Sequence, residues 1–126
     1  MRAVIYAETG DSDVLRLVDR PAPEPGQGEV RVRVMVSGVN PSDWKSRRGM
    51  SAAQALPFPE MVPNQDGAGI VDAVGDGVTS LQVGQRVWVW EAAFKRADGT
   101  AQEQVVLPAR QVVALPDHAS FDVGAS

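Results

Sequence analysis

The chain has 126 residues, 44% of them hydrophobic and 22% charged, with a formal net charge of −4. That suits one globular domain with its own core and gives no electrostatic reason to expect nucleic acid or an anionic membrane as a partner. The absence of cysteine removes disulfides, a thiolate nucleophile and sulfur-bound metal, and the single histidine, His118, removes any site built from several imidazoles.

Arg2-Ala-Val-Ile-Tyr-Ala7 reads as a first strand, and its apolar part is too short for a signal peptide. Val14 to Val18 reads as a second strand, ended by the proline-rich loop Pro21 to Gly26, which cannot donate to a ladder. Glu29 to Val36 alternates strictly. Val30, Val32, Val34 and Val36 face one way, and Arg31, Arg33 and Met35 face the other, so this strand is expected to have one side in water.

Asn40 to Gly49 carries the signals of a short helix. Asn40 suits the N-cap, Pro41 the first turn and Asp43 the capping box; Lys45, Arg47 and Arg48 suit the C-terminal end, and Gly49 suits the left-handed stop. A link up to Pro57-Phe-Pro59 follows. The polar trio Asn64-Gln65-Asp66 then precedes Gly67 and Gly69, a strand over Ile70 to Val74 and a turn at Gly75-Asp76-Gly77. Three polar side chains beside glycines suit one wall of a site, and a glycine-rich hairpin corner with a solvated polar tip accounts for them too.

Further strands are expected over Val83–Trp90, with Val87 and Val89 opposite Trp88 and Trp90, over Thr100–Leu107 and over Gln111–Leu115. Ser120 caps a last helix that has barely begun at Ser126, which is the pattern of a cut within a longer chain. Many short strands with little helix predict a mainly β fold, a barrel or a sandwich. No apolar run reaches the roughly 18 residues of a membrane span, and a cytoplasmic protein is expected.

In order, Arg2-Ala-Val-Ile-Tyr, Gly28-Glu-Val-Arg-Val-Arg-Val, Ser37-Gly-Val-Asn-Pro-Ser-Asp, Asp66-Gly-Ala-Gly-Ile-Val-Asp-Ala-Val-Gly, Val83-Gly-Gln-Arg-Val and Leu115-Pro-Asp-His-Ala-Ser-Phe form an ordered set. Together they resemble the N-terminal GroES-like catalytic domain of the medium-chain dehydrogenases/reductases, on the zinc-independent quinone oxidoreductase branch. The resemblance covers nearly the whole chain. It implies a GroES-like domain, a partly open β-barrel with short helices, over residues 1–126, with a Rossmann cofactor domain beyond Ser126 and a second copy of the full-length protein as dimer partner. It also implies hydride transfer from NADPH to a quinone or an activated alkene or carbonyl.

Zinc-dependent members of that superfamily carry cysteine at the position of Asn40 and Gly-His-Glu at Asn64-Gln65-Asp66. Amide oxygens are poor zinc ligands, so no metal is expected. By the same resemblance Asn40, Ser42 and Lys45 are the candidate catalytic residues, and Asn40 and Gln65 border the cofactor. Gln65, Trp90 and Phe94 are the expected lining of the substrate pocket. Gly67-Ala-Gly69-Ile-Val-Asp72 only approaches a dinucleotide fingerprint: its third glycine is Asp72 and no helix pattern follows. The cofactor's phosphates are therefore expected to bind outside this chain, which should fold alone without being active.

Two other classes stay in view. A non-enzymatic GroES-like binding module would need a hydrophobic anchor in its mobile loop, and the loop from Pro21 to Gly28 has none. A zinc alcohol dehydrogenase relative would have had to lose its metal ligands.

Overall fold

The computed structural model describes residues 1–49 and 56–126; most of the link expected ahead of Pro57 lies outside them. Strands β1 (Arg2–Ile5) and β2 (Arg16–Asp19) form an antiparallel pair. Strands β3 (Glu29–Gly38), β4 (Asp66–Val74), β5 (Arg86–Val89), β6 (Gln104–Pro108) and β7 (Val112–Ala114) form a second sheet, in the order β6-β3-β4-β5-β7. Its neighbours are all antiparallel and it does not close on itself, so the architecture is mainly β and open. Isolated bridges between Ala3 and Gln102 and between Tyr6 and Met61 tie the small sheet to the rest.

The valine alternation does what it promises in the first half of β3. Val30 and Val32 are buried against Val71, Val87, Val105 and Leu107. Each such side chain contributes about 1.5–3 kcal/mol by leaving water. The opposite face is less wet than expected. Arg31 is only 16% exposed and pairs with Asp72 at 2.7 Å and Glu24 at 3.2 Å. It also donates to the Pro23 carbonyl at 3.1 Å, which pins the proline-rich loop over this face.

Asp72 reaches Arg31 because the β3–β4 register slips there: Arg31 pairs with Ala73 and Val32 with Val71. The extra residue in β4 is a bulge, and a bulge re-aims its side chain. Gln104 on β6 donates to the same carboxylate at 2.6 Å. A second slip lies between Val34 and Val36.

Several boundaries differ from expectation for local reasons. A 3-10 turn over Ser12–Val14 delays β2, and β4 begins at Asp66 because Gly67 and Ala68 pair with Ser37 and Val36. Strand β6 begins only at Gln104, since the amides of Thr100 and Ala101 bond to the loop carbonyls of Asn64 and Pro63. A 3-10 turn over Ala109–Gln111 precedes β7. Helix α1 (Pro41–Arg48) matches the signals read from sequence, down to a left-handed Gly49 with φ 78°. Helix α2 (Phe121–Gly124) is capped by the Ser120 hydroxyl, which accepts the Val123 N–H at 3.1 Å.

The two glycines ahead of Ile70 serve packing. A Cβ on Gly69 would collide with the Arg33 carbonyl of β3, and one on Gly67 would press on Thr100. Backbone-to-backbone approach leaves no side chain that can give way. Gly69→Ala is therefore expected to destabilise the domain by about 1–3 kcal/mol, read as a lower urea midpoint. An unchanged midpoint would show that β3 and β4 can separate without cost.

Candidate functional site: an acid-anchored corner between a helix and a loop

The expected site residues gather at the junction of α1 with the loop leading into β4. Asn40 is the N-cap of α1, and its backbone N–H donates to Asp43 Oδ2 at 2.7 Å. The Asn40 side-chain nitrogen points away from the helix and donates to Asp66 Oδ2 at 2.6 Å. The cap and the side chain thus have separate tasks.

Asp43 is more than a capping residue. It is buried at 7% exposure, and its carboxylate faces the backbone N–H groups of Gln65 and Asn64 as well as that of Asn40. Burial pushes its pKa above the usual aspartate value and the Asp66 charge adds to this, against the pull of those three amides. Nearby Tyr6 is pushed up too, first by burial and then by Asp43, with Arg47 opposing. Asp43, Tyr6, Thr9, Ser46, Asn64 and Gln65 line one cavity of about 190 Å³, together with apolar Leu56, Met61 and Val62.

The loop itself is fixed by a directed hydrogen-bond chain. Asn64, in a left-handed conformation with φ 79°, donates through its side-chain nitrogen to Ser37 Oγ at 2.8 Å. The hydroxyls of Ser37 and Thr100 meet at 2.8 Å, and Thr100 Oγ1 donates to the Asp66 carbonyl at 2.7 Å. Asparagine tolerates the left-handed region better than most residues. Gln65 anchors the next loop: its Oε1 accepts the Ala93 N–H at 2.9 Å and its carbonyl accepts the Ala92 N–H at 2.9 Å. Both hydrogens of the Gln65 amide nitrogen stay clear of that contact.

The other expected residues are spread more widely. Ser42 and Lys45 lie on the exposed side of α1, with the Lys45 ammonium 5.7 Å from the centre of the Trp44 ring. Trp90 and Phe94 do not share a cavity with Gln65. Ala93 lines the cavity of Gln65, whereas Trp90, Glu91 and Phe94 line another with Arg96 and Arg110. The loop turns over between them, with Glu91 and Lys95 both at positive φ. Sequence reasoning missed Tyr6, Ser37 and Thr100 altogether and saw in Asp43 only a cap. Their one shared signal is being polar at or near a strand, which many surface residues share.

A raised pKa makes Asp43 bind its proton more tightly in the folded protein than in the unfolded one. Its contribution to stability is then complete below the ordinary aspartate value and declines as pH rises through the folded value. The stability of the native chain relative to Asp43→Asn, which cannot ionise, should fall as pH rises above the ordinary aspartate value of about 4. Urea unfolding at several pH values tests this. A difference that grows in favour of aspartate over that range would contradict it.

The family model described as alcohol dehydrogenase GroES-like domain matches residues 26–117. The chain is 34% identical over 128 residues to the synaptic vesicle membrane protein VAT-1 homolog of Rattus norvegicus, covering 100% of this chain and 30% of that protein. It is also 34% identical over 128 residues to the quinone oxidoreductase of Rattus norvegicus, again with 100% of this chain and 37% of that protein. A mycobacterial protein solved in complex with NADPH superimposes with a TM-score of 0.86 at 34% identity, over 99% of this chain and 37% of that one. This chain therefore spans about a third of the length of these relatives. No helix among the described residues is long and apolar enough to cross a membrane. Matched over most of its length in both sequence and strand arrangement, the chain belongs to the alcohol dehydrogenase GroES-like domain family of the medium-chain dehydrogenases/reductases.

Proposed function

We propose that this chain is the acceptor-side domain of an NADPH-dependent, zinc-independent reductase of quinones or of activated alkenes and carbonyls. The observation that carries this reading is the anchoring of two side-chain amides at one corner. Asp66 holds the Asn40 nitrogen at 2.6 Å, and the Ala93 N–H holds the Gln65 oxygen at 2.9 Å. Each amide then has at least one N–H left to give.

That arrangement suits hydride transfer without a metal. When hydride reaches carbon, an electron pair moves onto the acceptor oxygen, and fixed donors aimed at that oxygen stabilise the charge. Asn40 and Gln65 are the proposed donors, and both also border the cofactor. The Ser42 hydroxyl and the Lys45 ammonium on α1 are the proposed proton sources for the oxyanion.

The donor set does not suit zinc. The chain has no cysteine, its one histidine lies in the exposed Pro116-to-Ala119 turn, and Asp66 is already engaged by Asn40. Two amides and one carboxylate do not make a zinc site. Among the described residues no cluster of three His, Asp or Glu is placed to hold a metal ion.

NADPH supplies the hydride when bound. Gly67 and Gly69 offer its phosphates no cradle, because they lie within β4 and are filled against Thr100 and β3. A Rossmann domain following Ser126 is accordingly part of the proposal, as are a homodimer, a cytoplasmic location and inactivity of the chain alone.

Exchanging the anchored pair tests the chemistry. Asn40→Asp alone would set two carboxylates against each other at Asp66. Asn40→Asp combined with Asp66→Asn keeps a hydrogen bond and reverses its direction. In the complete enzyme this double variant should fold and bind NADPH normally while its kcat falls about 10²–10³-fold, the usual effect of losing one such donor. Undiminished turnover in a folded double variant would remove Asn40 from the mechanism.

A further inference from the structure

Across the 90–96 loop from Gln65 lies a cavity of about 430 Å³, lined by Trp90, Phe94, Lys95, Arg96 and Arg110 over the amide of Gln111. We propose that this cavity binds an oxyanion carried on a planar ring, an aryl phosphate or aryl carboxylate. The site is separate from the amide corner and does not depend on the hydride chemistry assigned there.

Its floor is built. Gln111 is 4% exposed, and its amide nitrogen donates to the carbonyls of Trp90 at 2.9 Å and Glu91 at 3.0 Å. The Gln111 oxygen accepts from an Arg96 Nη2. A guanidinium has five N–H donors, so that contact leaves most of them free for a ligand.

The charges are unbalanced in a telling way. Lys95, Arg96 and Arg110 each lack a carboxylate within ion-pairing distance among the described residues. Burial lowers the Arg96 pKa, the Glu29 charge opposes this, and the Arg110 charge adds a smaller lowering. Glu91 is the one acid on the cavity wall. An anion in the cavity that met these cations would gain charge-assisted hydrogen bonds from them.

The apolar half of the ligand follows from the rings. Phe94 is 54% exposed and Trp90 36%, and the Lys95 ammonium sits 5.3 Å from the Phe94 ring centre. An aromatic ring stacked there would cover both side chains while its anionic group met the arginines. Inorganic phosphate would use half of the site and phenol the other half.

Phenyl phosphate titrated into the 126-residue chain should give saturable amide shifts in an NMR spectrum, centred on residues 90–96 and 108–111. Inorganic phosphate and phenol should each bind more weakly. Arg110→Gln should weaken binding about tenfold, as loss of one charge-assisted bond does, and Phe94→Ala by several-fold. Lys95→Gln, another exposed exchange, serves if either variant alters the fold. A parallel titration with benzoate separates the two sources: the tighter of the two ligands assigns the site to phosphates or to carboxylates. Shifts that do not saturate, that centre on Asn40 and Gln65, or that survive loss of Arg110 and Lys95 would overturn the proposal.

Discussion

A single buried carboxylate organises this domain's working corner. Asp43 lies on an eight-residue helix that would not persist alone in water. Its carboxylate takes the N–H of Asn40 at the helix start and faces those of Asn64 and Gln65 on the loop into β4. One side chain thereby fixes the distance between two segments that share no ladder. Burial makes that carboxylate costly to ionise, yet removing it would leave half-buried amides without their partner, at up to about 1–3 kcal/mol for each that water does not reach. The arrangement is held because both alternatives are worse.

Everything else at the corner inherits its position from this tie. Asp66 can hold the Asn40 amide because α1 begins where it does. The Asn64–Ser37–Thr100 chain then fixes the loop from the sheet side and ends on the Asp66 carbonyl. Gly67 and Gly69 let β3 and Thr100 come close enough for those bonds. The sheet core of Val30, Val32, Val71 and Val87 supplies the rigid platform, and the corner sits on the ends of β3 and β4.

Much of the fold was legible in local pattern. Valine alternation located β3, and the Asn40-Pro41…Gly49 frame located α1, because each depends on neighbours within a few residues. The same logic separated Gly67-Ala-Gly69 from a dinucleotide fingerprint. What pattern could not reveal was long-range. The Asp72 bulge, which buries Arg31, arises from a register slip that no period announces. Trp90 and Phe94 flank the loop that Gln65 anchors, but two positive-φ residues turn that loop so that its rings face a different cavity from Gln65. Asp43 carried a capping signature that explained it fully until its burial was known. The proposed chemistry rests on the same corner, where one side-chain amide is held by an acid and another by a backbone N–H.

The claim that Asp43 ties helix to loop is tested most directly by native-state hydrogen exchange at the backbone amides of Asn40, Asn64 and Gln65. In the native chain all three should be protected beyond ordinary loop amides. In a folded Asp43→Ala variant all three should lose protection together, while the valines of β3 keep theirs. Three amides that exchange independently in the native chain, or that stay protected without the carboxylate, would contradict it.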